Sequence, residues 1–349
     1  MSSTEPSIEQ WRQAYELAAQ IRDLAPWKWM CDTDHLAFLD PEDGSPRFVA
    51  VMGRQGEHYA VAVYRRVEDL FRMIDLVGDP DQGPEAILET SQLQLSFEDR
   101  DFLEPADKRL IKRLGLKFRG RQAWPCFRSY LPGQFRWFVD SDELRQLILA
   151  LELILDMAPR FRDDEQELER LNRLGMEDHV FPMRTPTKVS GAIEWEESMV
   201  EIQRPAQRVI VPEMDVGLLK HAARFPAVKN KLEVDLRPTP WPIDERQDQR
   251  PYFPWIMLVV ESAQGVIVGH ELLAPLPTLD AVYSRAAGVL LDLLGKNEIR
   301  PAEILVRTDR VAALFSQLCT ELGIALTVRP RLPQLEDAFA SMLRFYDEG

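Results

Sequence analysis

Between Trp255 and Phe339 the apolar residues change period repeatedly, and that order constrains the fold more than any other feature of the chain. Trp255-Ile-Met-Leu-Val-Val260 is an unbroken apolar run ending at Glu261, the pattern of a strand buried on both faces. Gly265 turns the chain, and Val266–Leu273 returns as its hairpin partner. Helical spacing follows from about Leu279 to Leu294. Glu303-Ile-Leu-Val-Arg-Thr308 then reads as a strand ending at Asp309, with a second helix over Val311–Leu322 and a last strand at Ala325–Val328. Strands alternating with helices of this length predict an α/β domain with a mixed sheet.

Length and charge limit the rest. A chain of 349 residues is long for one core, so two domains are expected. Hydrophobic residues make up 45% and charged residues 28%, which is the balance of a folded protein rather than a disordered one. The net charge of -15 argues against a protein built mainly to grip a nucleic-acid backbone. Residues 206–349 are nearly neutral, so the acid is concentrated in the N-terminal half. Cys31, Cys126 and Cys319 are too few and too scattered for a disulfide framework, which fits a reducing compartment. The N-terminus shows no signal-peptide pattern and no apolar run is long enough to span a bilayer, so a cytoplasmic protein without membrane contact is expected.

The N-terminal part, residues 1–159, reads as an α+β domain with a mainly antiparallel sheet. Its elements are a helix over Ser7–Leu24, a three-stranded meander between His35 and Tyr64, a helix over Val67–Val77 and a strand over Leu93–Phe97. A helix opened by Glu104-Pro105 follows. Trp124–Leu131 and Gln134–Val139 are predicted to pair across Pro132-Gly133, and Asp140 or Ser141 caps a helix to Met157. Residues 160–205, charge-rich and then proline-interrupted, read as a linker region with an edge strand near Ile193. The C-terminal α/β domain, residues 206–349, opens with a strand over Arg208–Val211 and a helix over Val216–Arg224. The alternating segment Lys231-Leu-Glu-Val-Asp-Leu236 comes next, then a polar loop over Asp244–Arg250 that is expected to be mobile.

Residues 255–339 resemble a ribonuclease H-like core of the retroviral-integrase type, on Glu303-Ile-Leu-Val-Arg-Thr-Asp309 and Leu322-Gly-Ile-Ala-Leu-Thr-Val-Arg-Pro330. In such cores metal-binding carboxylates come from the end of the first strand, the end of the fourth and the following helix. The resemblance implies Glu261 and Asp309 as Mg²⁺ ligands if their strands are adjacent and parallel, with Glu336 as third ligand or water-orienting base. Two such cations, about 4 Å apart, clamp the attacking and leaving oxygens of a phosphodiester. A plainer role competes: polar residues at strand ends cap helices, and Asp309 is placed to cap Val311–Leu322. The whole chain also resembles an uncharacterised bacterial two-domain family, on Trp27-Lys-Trp29, Val51-Met-Gly53 and Tyr64.

Other chemistry-bearing residues point less sharply. Cys31, Asp32, Asp34 and His35 are metal-ligand types at close spacing, but no second Cys or His pair completes a zinc set, and a turn is the expected role. Gly53-Arg-Gln-Gly56 reads as a hairpin turn. His221 and His270 are isolated, and Arg307, Arg310, Arg329 and Arg331 are placed to line one edge of the C-terminal sheet. The aromatics Trp124, Phe127, Tyr130, Phe135, Trp137 and Phe138 are expected to pack across one hairpin. The expected function is a non-catalytic binding or interaction protein on a degenerate ribonuclease H-like scaffold. It would hold no cofactor, and its partner would be a protein rather than nucleic acid. The alternative is an Mg²⁺-dependent phosphodiester hydrolase or transferase acting on nucleic acid.

Overall fold

The computed structural model describes residues 5–78, 84–189, 192–206, 208, 210–245 and 249–347. The chain divides into two units, residues 1–131 with 136–206, and residues 132–135 with 207–349.

The first unit opens with helix α1 (Ile8–Leu24), where Ser7 and Gln10 form a reciprocal capping box. Strands β1 (Leu36–Leu39), β2 (Pro46–Met52) and β3 (Ala60–Tyr64) form the predicted meander. Helix α2 (Val67–Gly78), strand β4 (Gln92–Glu98), helix α3 (Pro105–Arg113) and strand β5 (Trp124–Tyr130) follow. Asp140 and Glu143 then box the start of α4 (Ser141–Met157). The sheet runs β4 and β5 outward on one side of the meander. On the other side β1 pairs in parallel with β6 (Val180–Val189), which makes a long antiparallel hairpin with β7 (Ala192–Glu201).

The sheet is mainly antiparallel as expected, and mixed through the single parallel pair β1–β6, but residues 160–205 are not the expected linker. They supply helix α5 (Glu165–Arg173) and two strands of a seven-stranded sheet, and β7 contains the predicted edge position Ile193. Phe181 and Met183 of β6 are buried against Phe48, Ala50 and Tyr64, which gives the segment an apolar anchor despite its prolines. The meander has helices on both faces because its strands are apolar at every position but Arg47. Val49, Val51, Val61, Val63, Leu93 and Leu95 share a core with Ala18, Ile21, Leu147 and Leu151 of α1 and α4. The alternate residues Phe48, Ala50, Ala62 and Tyr64 meet Leu70, Phe71 and Ile74 of α2.

Trp124–Tyr130 has no full hairpin partner. Residues 134–139 make only the isolated bridge Ser129–Trp137 to it. Residues 132–135 belong to the second unit, where the Phe135 N–H donates to Pro251 and the Phe253 N–H donates to Gly133. The six aromatics are accordingly dispersed: Phe127 lies in the first core, Phe135 packs on Phe253, and Phe138 is partly exposed.

The second unit contains α6 (Val216–Ala222), β8 (Ala227–Pro238), β9 (Trp255–Glu261), β10 (Ile267–Leu273) and α7 (Asp280–Lys296). It continues with β11 (Arg300–Val306), α8 (Asp309–Leu322), β12 (Ala325–Val328) and α9 (Pro333–Asp347). The strand order is β10-β9-β8-β11-β12; the first three form an antiparallel meander, and β11 and β12 run parallel to β8. The strands at Trp255 and Ile304 are thus not neighbours, because β8 lies between them. Its alternation of charged and apolar residues looks amphipathic, yet all five residues from Leu232 to Leu236 are buried. Helix α9 covers the face carrying Leu258, Val260 and Leu305, and Gly269 faces Leu293 of α7 on the opposite side. The described residues of the expected strand over Arg208–Val211, namely 208 and 210–211, are not in a strand; Val209, and residues 246–248 of the expected mobile loop, lie outside the described residues.

Charge is also built into the first core. Arg128 and Asp107 form a two-pronged ion pair with both side chains at least nine-tenths buried. Removing one partner strands the other charge without water. Asp107→Ala should cost about 3–5 kcal/mol in urea unfolding, whereas breaking the exposed Arg170–Glu167 pair should cost less than about 1 kcal/mol. Equal losses would show that burial is not what makes the first pair matter.

Candidate functional site

The three carboxylates singled out in the sequence do not converge. Glu261 is level with Leu232 of β8, while Leu305 is level with Glu233 and Asp309 lies four residues further on. Because β9 is antiparallel to β8 and β11 parallel to it, the two acids sit at opposite ends of the strands. Five residues of strand separate them by about 16 Å, before two interstrand spacings are added. The Glu261 carboxylate instead accepts the N–H groups of Ala263 and Gln264 at 3.0 and 2.7 Å, closing the β9–β10 turn. Thr308, not Asp309, caps α8 by accepting from the Val311 N–H; Asp309 is the exposed first residue of that helix. Glu336 accepts from the Leu332 N–H at 3.3 Å in the first turn of α9.

The acids with an unusual environment lie on β8. Glu233 and Asp235 are 3% and 1% exposed and share, by the two-residue period of the strand, the face covered by α9. Glu233 accepts the Leu335 N–H at 2.8 Å and the Ser262 hydroxyl at 3.3 Å. A buried carboxylate thereby meets the unsatisfied N–H groups and positive end of α9. Asp235 lies between two guanidinium groups. Its Oδ2 accepts from Arg237 Nε at 2.9 Å and Arg307 Nε at 3.1 Å, and its Oδ1 accepts from the Leu236 N–H at 3.0 Å. The Arg237 guanidinium also lies 4.9 Å from the ring centroid of Phe339 on α9.

This cluster joins the central strand, the end of β11 and helix α9. Chemically it is a carboxylate already saturated by cations, and a divalent metal would have to displace guanidinium groups to reach it. Among the described residues no group of three or more His, Cys, Asp or Glu side chains is placed to hold a metal. The sequence carried one trace of the cluster: Asp235 and Arg237 two apart on a strand share a face and can pair. The partner Arg307 is 72 residues away along the chain and invisible to local pattern.

The predicted arginine edge divides. Arg307 is bound to Asp235, Arg310 stacks over Tyr283 at 4.2 Å, and Arg329 and Arg331 are exposed. His221 packs edge-on against Phe225 and His270 lines a groove beside β10. Gly53–Gly56 is the turn between β2 and β3 that its residues predict, and Gly53 takes a φ of 117° where a Cβ would strike Tyr59.

Cys31–Asp34 is likewise a hydrogen-bonded turn. Asp34 accepts from the Cys31 N–H at 2.8 Å and from Asn172 at 3.1 Å. Burial raises the Cys31 thiol above its ordinary range, which works against a thiolate nucleophile. The neighbouring His35 is fully buried between Tyr64 and Phe181, and neither ring nitrogen has a hydrogen-bond partner.

Burial pushes the His35 imidazole from its ordinary 6.5 down to about 4. The unfolded chain therefore binds this proton more readily between those pH values, so the His35 contribution to stability falls as pH drops from 6.5 towards 4. Urea midpoints at pH 7 and 4.5 should drop less in His35→Leu than in the wild type. Identical drops would exclude this histidine as a source of acid sensitivity.

Two family models match the chain: a domain of unknown function, DUF7309, over residues 11–176, and a second, DUF6930, over residues 218–343. Together they cover it as two domains of unknown function, in keeping with the expected uncharacterised two-domain family. No curated protein and no solved structure matches it significantly. No helix among the described residues is long and apolar enough to cross a membrane.

Proposed function

We propose that this two-domain chain is a non-catalytic binding protein whose C-terminal unit is a degenerate ribonuclease H-like scaffold. The strand order supports the scaffold: an antiparallel meander β8-β9-β10 with two further strands parallel to β8 on its other side. In that layout β8 is the first strand and β11 the fourth. Asp235 then takes the first metal-ligand position in place of Glu261, and Arg307 at the end of β11 points its guanidinium at that carboxylate.

The clamping of Asp235 by Arg237 and Arg307 carries the reading. A two-metal phosphodiesterase needs carboxylates converging on cations in reach of substrate. Here the charge is cationic around one buried acid, and Glu261 and Asp309 lie at opposite ends of the strands. The chain's net charge of -15 favours a protein partner over nucleic acid. Free Cys31, Cys126 and Cys319 suit a reducing cytoplasm.

Calorimetric titration with Mg²⁺ and Mn²⁺ should give no saturable heat, and labelled DNA and RNA, single- and double-stranded, should stay intact with either metal. Metal-dependent cleavage that disappears in Asp235→Asn would overturn the proposal. The same substitution should lower unfolding stability by about 3 kcal/mol, because two guanidinium groups lose their buried counter-charge.

A further inference from the structure

We propose that residues 105–121 of the first unit form a docking surface for a short acidic segment of a partner protein. This inference rests on the binding reading above and names a surface and the charge of its partner.

Between Pro105 and Arg121 the sequence holds seven Lys or Arg residues and a single acid, in a chain of net charge -15. That acid, Asp107, is already paired with Arg128. Four of the bases stand on α3. At about 3.6 residues per turn, Lys108, Arg109, Lys112 and Arg113 spread over about 140° of the helix surface, opposite the face on which Asp107 and Ile111 are buried. They make two like-charged pairs at i,i+4, Lys108 with Lys112 and Arg109 with Arg113, a spacing that destabilises a helix. The helix dipole offsets this cost in the last turn, where Lys112 and Arg113 lie. It gives no reason for Lys108 and Arg109.

The other three bases follow directly. Helix α3 ends in a Schellman turn: Gly115 takes a φ of 74°, its N–H donates to the Lys112 carbonyl, and the Leu116 N–H donates to that of Ile111. Beyond it apolar and basic residues alternate. Leu116 and Phe118 pack on the first core, Phe118 stacking on Tyr15 and meeting Trp124 edge-on. Lys117 and Arg119 between and after them are exposed, as is Arg121 in the next turn. Arg121 comes within 3.9 Å of Asp99 with its side chain 94% exposed. The remaining six bases make no ion pair among the described residues.

Packing of the apolar residues thus holds a set of cations together without counter-charge, in a chain that has acid to spare. Charge complementarity asks for a polyanion, and the extent of the surface selects among polyanions. The four helical bases lie within about 8 Å along the axis, and Lys117 follows Arg113 by four residues. Attraction between exposed charges fades over about 8 Å at physiological salt. The carboxylates of a short segment therefore meet this cluster alone. A nucleic-acid strand carries its charge past the ends of the cluster, over a chain whose other residues hold the acid excess. Arg109, Arg113 and Arg119 supply the forked guanidinium groups that bind carboxylates with two parallel hydrogen bonds.

A fluorescein-labelled twelve-residue peptide of alternating Glu and Ser, titrated with the full-length chain by anisotropy, should bind with an affinity that falls as salt is raised. Lys117→Glu/Arg119→Glu and, separately, Arg109→Glu/Arg113→Glu should bind it about tenfold more weakly. Thermal unfolding of each variant checks its fold, and the loop pair keeps the test valid if the helix pair impairs folding. Arg329→Glu/Arg331→Glu makes the same change of charge at exposed positions of the second unit and should bind as the wild type does. No binding by the wild type, or one affinity shared by all three variants, overturns the proposal. So does a twelve-nucleotide single strand that binds more tightly than the peptide and is lost in the first two variants, which would assign the surface to nucleic acid. A concentration-dependent oligomer in sedimentation that those two variants dissociate overturns it in favour of self-association. Each of these results leaves the absence of metal-dependent cleavage untouched, so the two readings fail separately.

Discussion

The second unit depends on two carboxylates buried in its central strand. Burying an ionised acid is costly unless it is paired and hydrogen-bonded, so Glu233 and Asp235 can occupy β8 only with their partners in place. Those partners come from Leu335 and Ser262 for one acid and from Arg237 and Arg307 for the other. Arg237 lies on β8 itself, and the other three tie β8 to different elements: the start of α9, the β9–β10 turn and the end of β11. Hydrophobic burial brings strands and helices together without direction. The acids add direction, because α9 must present its N-terminus to Glu233 and β11 must end where Arg307 reaches Asp235.

On the proposed reading, the same device leaves Asp235 little capacity to take a metal. A metal site keeps its ligands open to exchange, and here the lone pairs of Asp235 face guanidinium and backbone N–H groups. In the first unit, buried pairs such as Arg128–Asp107 similarly spend their charge inside the protein. The most buried histidine, His35, packs between Tyr64 and Phe181, and its burial favours the neutral ring.

Local signals made most elements legible. Ser7, Asp140 and the Gly53–Gly56 turn act as their residue types predict, and the long apolar runs at Val49, Val61 and Trp255 are strands. Errors fell where partners are distant. Residues 160–205 look like a linker because prolines and charges dilute their pattern, yet β6 is held by Phe48 and Tyr64, more than a hundred residues away. Gln134–Val139 looks like a hairpin arm, but Phe135 finds its backbone partner at Pro251. Asp309 looks like a cap, and the residue before it is the cap.

By itself the sequence determined the helices, the strands and the α/β character of residues 255–339, because these follow from periodicity and capping within a few residues. It also carried every acid that an integrase-type core invites one to test. Only the tertiary structure decided that β8 separates β9 from β11, that Glu261 and Asp309 lie apart, and that Glu233 and Asp235 are the buried pair. The reason is physical: strand order and the burial of a charge are set by partners remote in sequence, and an alternating Lys-Leu-Glu-Val-Asp-Leu reads the same whether its acids face water or guanidinium.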